Sequence, residues 1–248
     1  DRALADARAV LESRLQAYGP DHPNTLNARI NLAAALFSAT AYEDAEQHLR
    51  LAIEGLQPPN LDTAAALDNL SLIMTMTGRA EEAAALNDQV LELRERLLSK
   101  DNLRVAHTLL NGSQIDLRLG NLEDALKAVR RAKEIYRRNG GDASRHLVGS
   151  ERGEAGVLLA LGRAREAADL LEGTWKRELV APAAPATPLI VALELTVSLI
   201  DAGDPKRALE VTTATREHPD RLEPNTPTQR LNLEELHGTA LLATGSTD

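Results

Sequence analysis

The side chains of this 248-residue chain that could do chemistry are six histidines, a set of adjacent acid pairs, and three asparagines returning at one spacing. The histidines stand at positions 22, 48, 107, 146, 218 and 237, and no two are four apart, so no helix face offers paired imidazoles to zinc. Cysteine is absent, which removes thiolate ligands and disulfides. No metal site and no cofactor are expected. His22 belongs to the loop Gly19-Pro20-Asp21-His22-Pro23, where a turn-forming, packing role explains it. The acid pairs Glu43 and Asp44, Glu81 and Glu82, and Glu123 and Asp124 would suit a general acid and base. Each pair, however, opens an amphipathic stretch, where carboxylates complement a helix dipole. Phosphate-binding loops, dinucleotide fingerprints and nucleophile elbows are all missing. The chain reads as a protein that is not an enzyme.

The asparagines are Asn31, Asn69 and Asn111. A carboxamide donates and accepts at once, so a row of them can hold a peptide backbone without reading its side chains. The competing explanation is that each Asn ties down its own scaffold. Their spacing follows a repeat that runs through the chain. A turn followed by an acidic or basic stretch and Ala recurs at Thr40 to Ala45, Gly78 to Ala83, Gly120 to Ala125, Gly162 to Ala167 and Gly203 to Ala208, with steps of 38, 42, 42 and 41 residues. Twelve residues before each final Ala stand Ala33, Ser71, Ser113, Ala155 and Thr196; seven after it stand Ala52, Val90, Ala132, Thr174 and Thr215. Small residues at fixed offsets let two helices approach, and the intervening glycine ends one helix in a left-handed conformation.

The loop Gly19-Pro20-Asp21-His22-Pro23-Asn24-Thr25, with Asn31-Leu32-Ala33 and Tyr42-Glu43-Asp44-Ala45, resembles the tetratricopeptide repeat in its longer, kinesin-light-chain-like variety. The resemblance covers essentially the whole chain and fades in later copies: Asn87 and Asp116 stand where an apolar residue is usual, and Gly112 and Glu154 replace Leu. It implies an all-α, right-handed superhelical solenoid of helix-turn-helix repeats. The expected parse is a half repeat at 2–18, full repeats at about 24–57, 62–98, 102–139, 144–180 and 188–218, and a half repeat at 227–244. With both ends cutting a repeat and no initiating Met, a piece of a larger protein is expected. The proline-rich stretch 181–188 reads as an inter-repeat loop rather than a divider between two rigid halves, and Pro188 suits the start of the next helix.

Such a solenoid presents a concave surface lined by the first helix of every repeat. The resemblance implies peptide clamping there by the asparagines. The groove is expected to hold Asn27, Asn31, Ala34, Phe37 and Ser38, then Asp68, Asn69, Leu72 and Met76, then His107, Asn111, Gln114 and Arg118, and finally Arg152, Gly156, Val197 and Asp201. The expected function is a protein-interaction scaffold for a peptide or protein partner. The alternatives are a self-associating module completed through its end helices, and, with no motif behind it, a small-ligand sensor or enzyme. A formal charge of -9 argues against nucleic acid. Residues 94 to 152 carry 13 Lys and Arg against 8 Asp and Glu, which reads as a solvated outer face. No apolar run is long enough for a membrane span, and a cytoplasmic setting is the expectation. Trp175, Met74 and Met76 read as packing residues.

Overall fold

The computed structural model describes residues 2–140, 145–180, 187–217 and 227–245. Among them the regular structure is entirely helical: α1 (Arg2–Tyr18), α2 (Pro23–Ser38), α3 (Tyr42–Gly55), α4 (Leu61–Met76), α5 (Ala80–Leu97), α6 (Leu103–Leu119), α7 (Leu122–Gly140), α8 (Arg145–Ala160), α9 (Ala164–Val180), α10 (Thr187–Asp201), α11 (Pro205–Arg216) and α12 (Pro227–Thr244). The chain divides into two compact units, Asp1–Asn121 and Leu122–Asp248. The division falls between the two helices that the sequence pairs in its third hairpin. It does not fall at the proline-rich stretch, of which 181–186 lie outside the described residues.

Local chemistry starts and stops these helices. His22 Nδ1 accepts the Asn24 amide at 3.2 Å, capping α2, while its ring stacks on Tyr18 at 4.6 Å. Asn60 and Thr63 form a reciprocal capping box at the start of α4, and Asn102 and Asp204 cap α6 and α11. At five turns an amide reaches back over six residues, Ala41 to Leu36, Arg79 to Met74, Asn121 to Asp116, Arg163 to Leu158 and Asp204 to Leu199, each at 2.8 to 2.9 Å. That closure requires a left-handed residue just before the donor. Four of the turns use glycine, Gly120 for example at φ 80°; the first uses Thr40 at φ 60°.

Within each unit consecutive helices pack antiparallel neighbour on neighbour, from α1 to α6 and from α7 to α12. All fifteen small positions of the repeat, five at each of its three offsets, are buried. Their close approach leaves Leu32, Leu36, Leu70, Leu158, Leu195 and Leu199 to fill the space between helices, and all six are buried as well. Met74 and Trp175 are core residues as expected, but Met76 is not: it stands 53% exposed on the open side of α4. No described helix is long and apolar enough to cross a membrane.

Candidate functional site

In the unit Asp1–Asn121 the first helices α2, α4 and α6 carry thirteen of the residues expected in a groove. Asn27 Nδ2 donates to Asp62 Oδ2 at 3.1 Å and so fastens α2 to the first turn of α4. Asp68 is held from two sides. Its Oδ2 accepts from Arg94 Nη2 at 2.8 Å, and its Oδ1 lies 3.5 Å from Asn111 Nδ2, which is also 3.5 Å from His107 Nδ1. Arg94 comes from α5, is 7% exposed, and bridges to α6 through Thr108 Oγ1 at 2.6 Å. A buried guanidinium is tolerated only when paired, so Asp68 is fixed as its counter-ion and Asn111 serves the same network.

Asn31 and Asn69 behave differently. Neither side chain has a hydrogen-bond partner among the described residues; Asn31 is exposed and Asn69 half-buried. Leu72, one turn beyond Asn69 on α4, is 46% exposed. Gln114 and Arg118 extend from α6 into solvent, again without a partner among the described residues. The three asparagines at one offset of the repeat therefore differ in surroundings: Asn111 has Asp68 and His107 at 3.5 Å, whereas Asn31 and Asn69 have no side-chain partner among the described residues. Arg94 was not singled out in the sequence, although a signal existed. It lies on the stripe Ala83, Asn87, Val90, Arg94 of α5, whose four members are all buried, and a charge on such a stripe needs a partner on the next helix.

In the unit Leu122–Asp248 the corresponding face is built by α8, α10 and α12. Arg152 clasps Glu194 with two parallel bonds, Nε to Oε2 at 2.8 Å and Nη2 to Oε1. Hydrogen bonding to Glu194 raises the Arg152 pKa further, against the opposing effect of burial. Beside this clasp lies a cavity of about 450 Å³ lined by Ala155, Gly156, Leu159, Leu171, Leu193, Val197 and Leu236, with Asn232 and Glu235 as its other polar members. Asp201 is exposed one turn beyond Val197. Glu154, the departure from Leu noted in the sequence, is buried under two cations of α7, Arg130 Nε at 2.7 Å and Lys133. Other cations of the basic stretch are also paired: Lys127 with Asp124, and Arg137 and Arg138 with Glu134. No group of residues able to hold a metal ion occurs among the described residues.

The tetratricopeptide-repeat family model matches residues 1–57 and 62–138, more than half of the chain. The chain belongs to the tetratricopeptide-repeat family. Solved structures extend the fold over nearly all of it. BtubC (BKLC) from P. vanneervenii superposes with a TM-score of 0.77 at 18% identity, covering 91% of this chain and 93% of that one. A putative kinesin light chain of TPR-like repeats from Podosopora anserina gives 0.72 at 17% identity, covering 82% and 99%. YrrB, described as a TPR protein with an unusual peptide-binding site, gives 0.59 at 16% identity, covering 95% and 97%. No curated protein matches by sequence. Beyond the family match the tetratricopeptide packing persists: Ala155, Ala167 and Thr174, then Thr196, Ala208 and Thr215, repeat the buried small positions.

Proposed function

We propose that this tetratricopeptide-repeat chain is a protein-interaction scaffold that holds a peptide segment of a partner against the face of its first helices. One observation carries the reading. On neighbouring first helices, Asn31 and Asn69 present carboxamides with no partner among the described residues, beside exposed Leu72 and Met76, which is what a peptide backbone and its apolar side chains require. A peptide-binding relative of the same fold, YrrB, supports it.

The test is capture. A random peptide library is panned on the immobilised chain, and a photo-reactive amino acid is then placed at Leu72 or, as a control on the exposed side of α5, at Asp88. The selected peptide cross-links at Leu72 and not at Asp88. Cross-linking confined to Asp88 contradicts the proposal.

A further inference from the structure

We infer that the cavity between α8, α10 and α12 is a specificity pocket for a peptide that presents an aliphatic side chain next to a lysine or arginine. The inference rests on the scaffold reading above and gives its second unit a defined chemistry. The space of about 450 Å³ falls within the range of ligand pockets, and its wall is aliphatic: Leu159, Leu193, Val197 and Leu236. Val197 is 38% exposed, so a leucine-sized group entering there removes apolar surface from water on both sides.

Gly156 supplies the opening. It lies inside α8, where glycine is less favourable than alanine, yet a Cβ built on it meets nothing within 4 Å. Helix packing therefore does not demand glycine at this position. The missing side chain lets an incoming group approach the helix backbone closely.

Charge selects the neighbour. Of the three ionisable side chains lining the cavity, Arg152 and Glu194 satisfy each other, and Glu235 has no ion-pair partner among the described residues. Asp201 on α10, equally unpaired among them, adds the same sign close by. An aliphatic group flanked by a cation is the complement of this surface, and one flanked by a carboxylate is repelled. Asn232 is placed to bond the peptide backbone between the two side chains. With one free charge and one carboxamide, the cavity has too few convergent polar groups to orient a small polar metabolite.

Three fluorescein-labelled helical peptides decide the matter when titrated by anisotropy into the full chain: one with Leu and Lys one turn apart, one with Leu changed to Ala, and one with Lys changed to Glu. The Leu/Lys peptide binds, and either change weakens it about tenfold. Glu235→Lys reverses the preference in favour of the Leu/Glu peptide. Gly156→Leu fills the opening and abolishes binding while leaving the helical circular dichroism unchanged, since the added side chain has room. Equal binding of the Lys and Glu peptides, or a preference that Glu235→Lys does not move, overturns the pocket while the scaffold reading stands. Absence of all three peptides from a chain that still cross-links its panned peptide at Leu72 does the same. Self-association lost on Gly156→Leu, with no peptide bound, assigns the cavity to a second copy and also overturns the proposal.

Discussion

The Asn87 carboxamide of α5 rests against the bare backbone of Gly112 in α6, so closely that a Cβ at 112 would come within 2.5 Å of Asn87 Nδ2. Two departures from the repeat pattern thus compensate each other: a polar group where an apolar one is usual, and a glycine where leucine is usual. Asn87 Oδ1 is buried and has no hydrogen-bond partner among the described residues. Asn87 is 5% exposed and has little room to swing away, so Gly112→Ala destabilises the chain by about 1 kcal/mol, the clash outweighing the better helix propensity of alanine. Asn87→Ala combined with Gly112→Ala regains that loss, giving a coupling on the order of 1–2 kcal/mol in urea denaturation. Strict additivity of the two changes would show that the contact does not constrain the helices.

Glu154 makes a similar exchange with charge. Replacing it by leucine leaves Lys133, whose side chain is only 16% exposed, without its carboxylate and costs about 2–3 kcal/mol. Glu154→Leu with Lys133→Met restores an apolar contact and returns stability to within about 1 kcal/mol of the parent. Thermal and urea midpoints of the single and double variants measure this; equal losses in both would remove the ion pair from the explanation.

Thr40 holds a left-handed conformation that costs a β-branched residue more than glycine. Thr40→Gly, matching the other four turns, raises stability by about 1 kcal/mol. A decrease in the melting temperature would mean that the Thr40 hydroxyl, which donates to the Ala39 carbonyl at 2.7 Å, matters more than backbone strain.

How much of this was legible follows from the distance at which each feature is decided. The buried alanines at 45, 83, 125, 167 and 208 and the glycine turns were readable because helix crossing and positive φ are set within a few residues. Asn87, Gly112 and Glu154 were readable as anomalies. Their remedies were not, since each lies on another helix and depends on its rotation. The asparagine spacing was visible too. What divides Asn111 from Asn31 and Asn69 is the buried Arg94, whose demand for Asp68 holds that carboxylate 3.5 Å from the Asn111 carboxamide. The repeat parse put Arg152, Gly156 and Val197 in one groove and made 227–244 a further first helix; that these helices leave a cavity was not readable, because it depends on how the side chains of α8, α10 and α12 fit together.

Acid should loosen the first unit in two steps. Burial and the neighbouring Arg29 hold His48 below its ordinary pKa of 6.5, so the unfolded chain takes up that proton first and stability falls as pH drops below 6.5. Burial pushes Glu46 upward, but bonds from Arg79 and Arg50 together outweigh it and leave the carboxyl below 4.5. Its stabilisation, present above 4.5, is lost as pH falls through that lowered value. Urea midpoints measured across pH 7 to 3 should show both steps. His48→Gln should shrink the upper step, to which the likewise lowered His237 also contributes, and Glu46→Gln the lower, which it shares with Glu82, Glu166 and Glu172; an unchanged profile in either variant would contradict its assignment.

The central claim, that partners bind on the first helices through Asn31 and Asn69, is tested most directly by the affinity of the panned peptide for Asn31→Ala/Asn69→Ala. Each lost carboxamide removes one or two hydrogen bonds of about 1 kcal/mol net, and neither has a partner among the described residues to leave unsatisfied. The double variant should therefore bind at least about tenfold more weakly with an unchanged melting temperature, while Gln47→Ala/Asp88→Ala on the second helices binds as the parent does. Unchanged affinity in the asparagine variant, or loss only in the second-helix variant, would contradict the account.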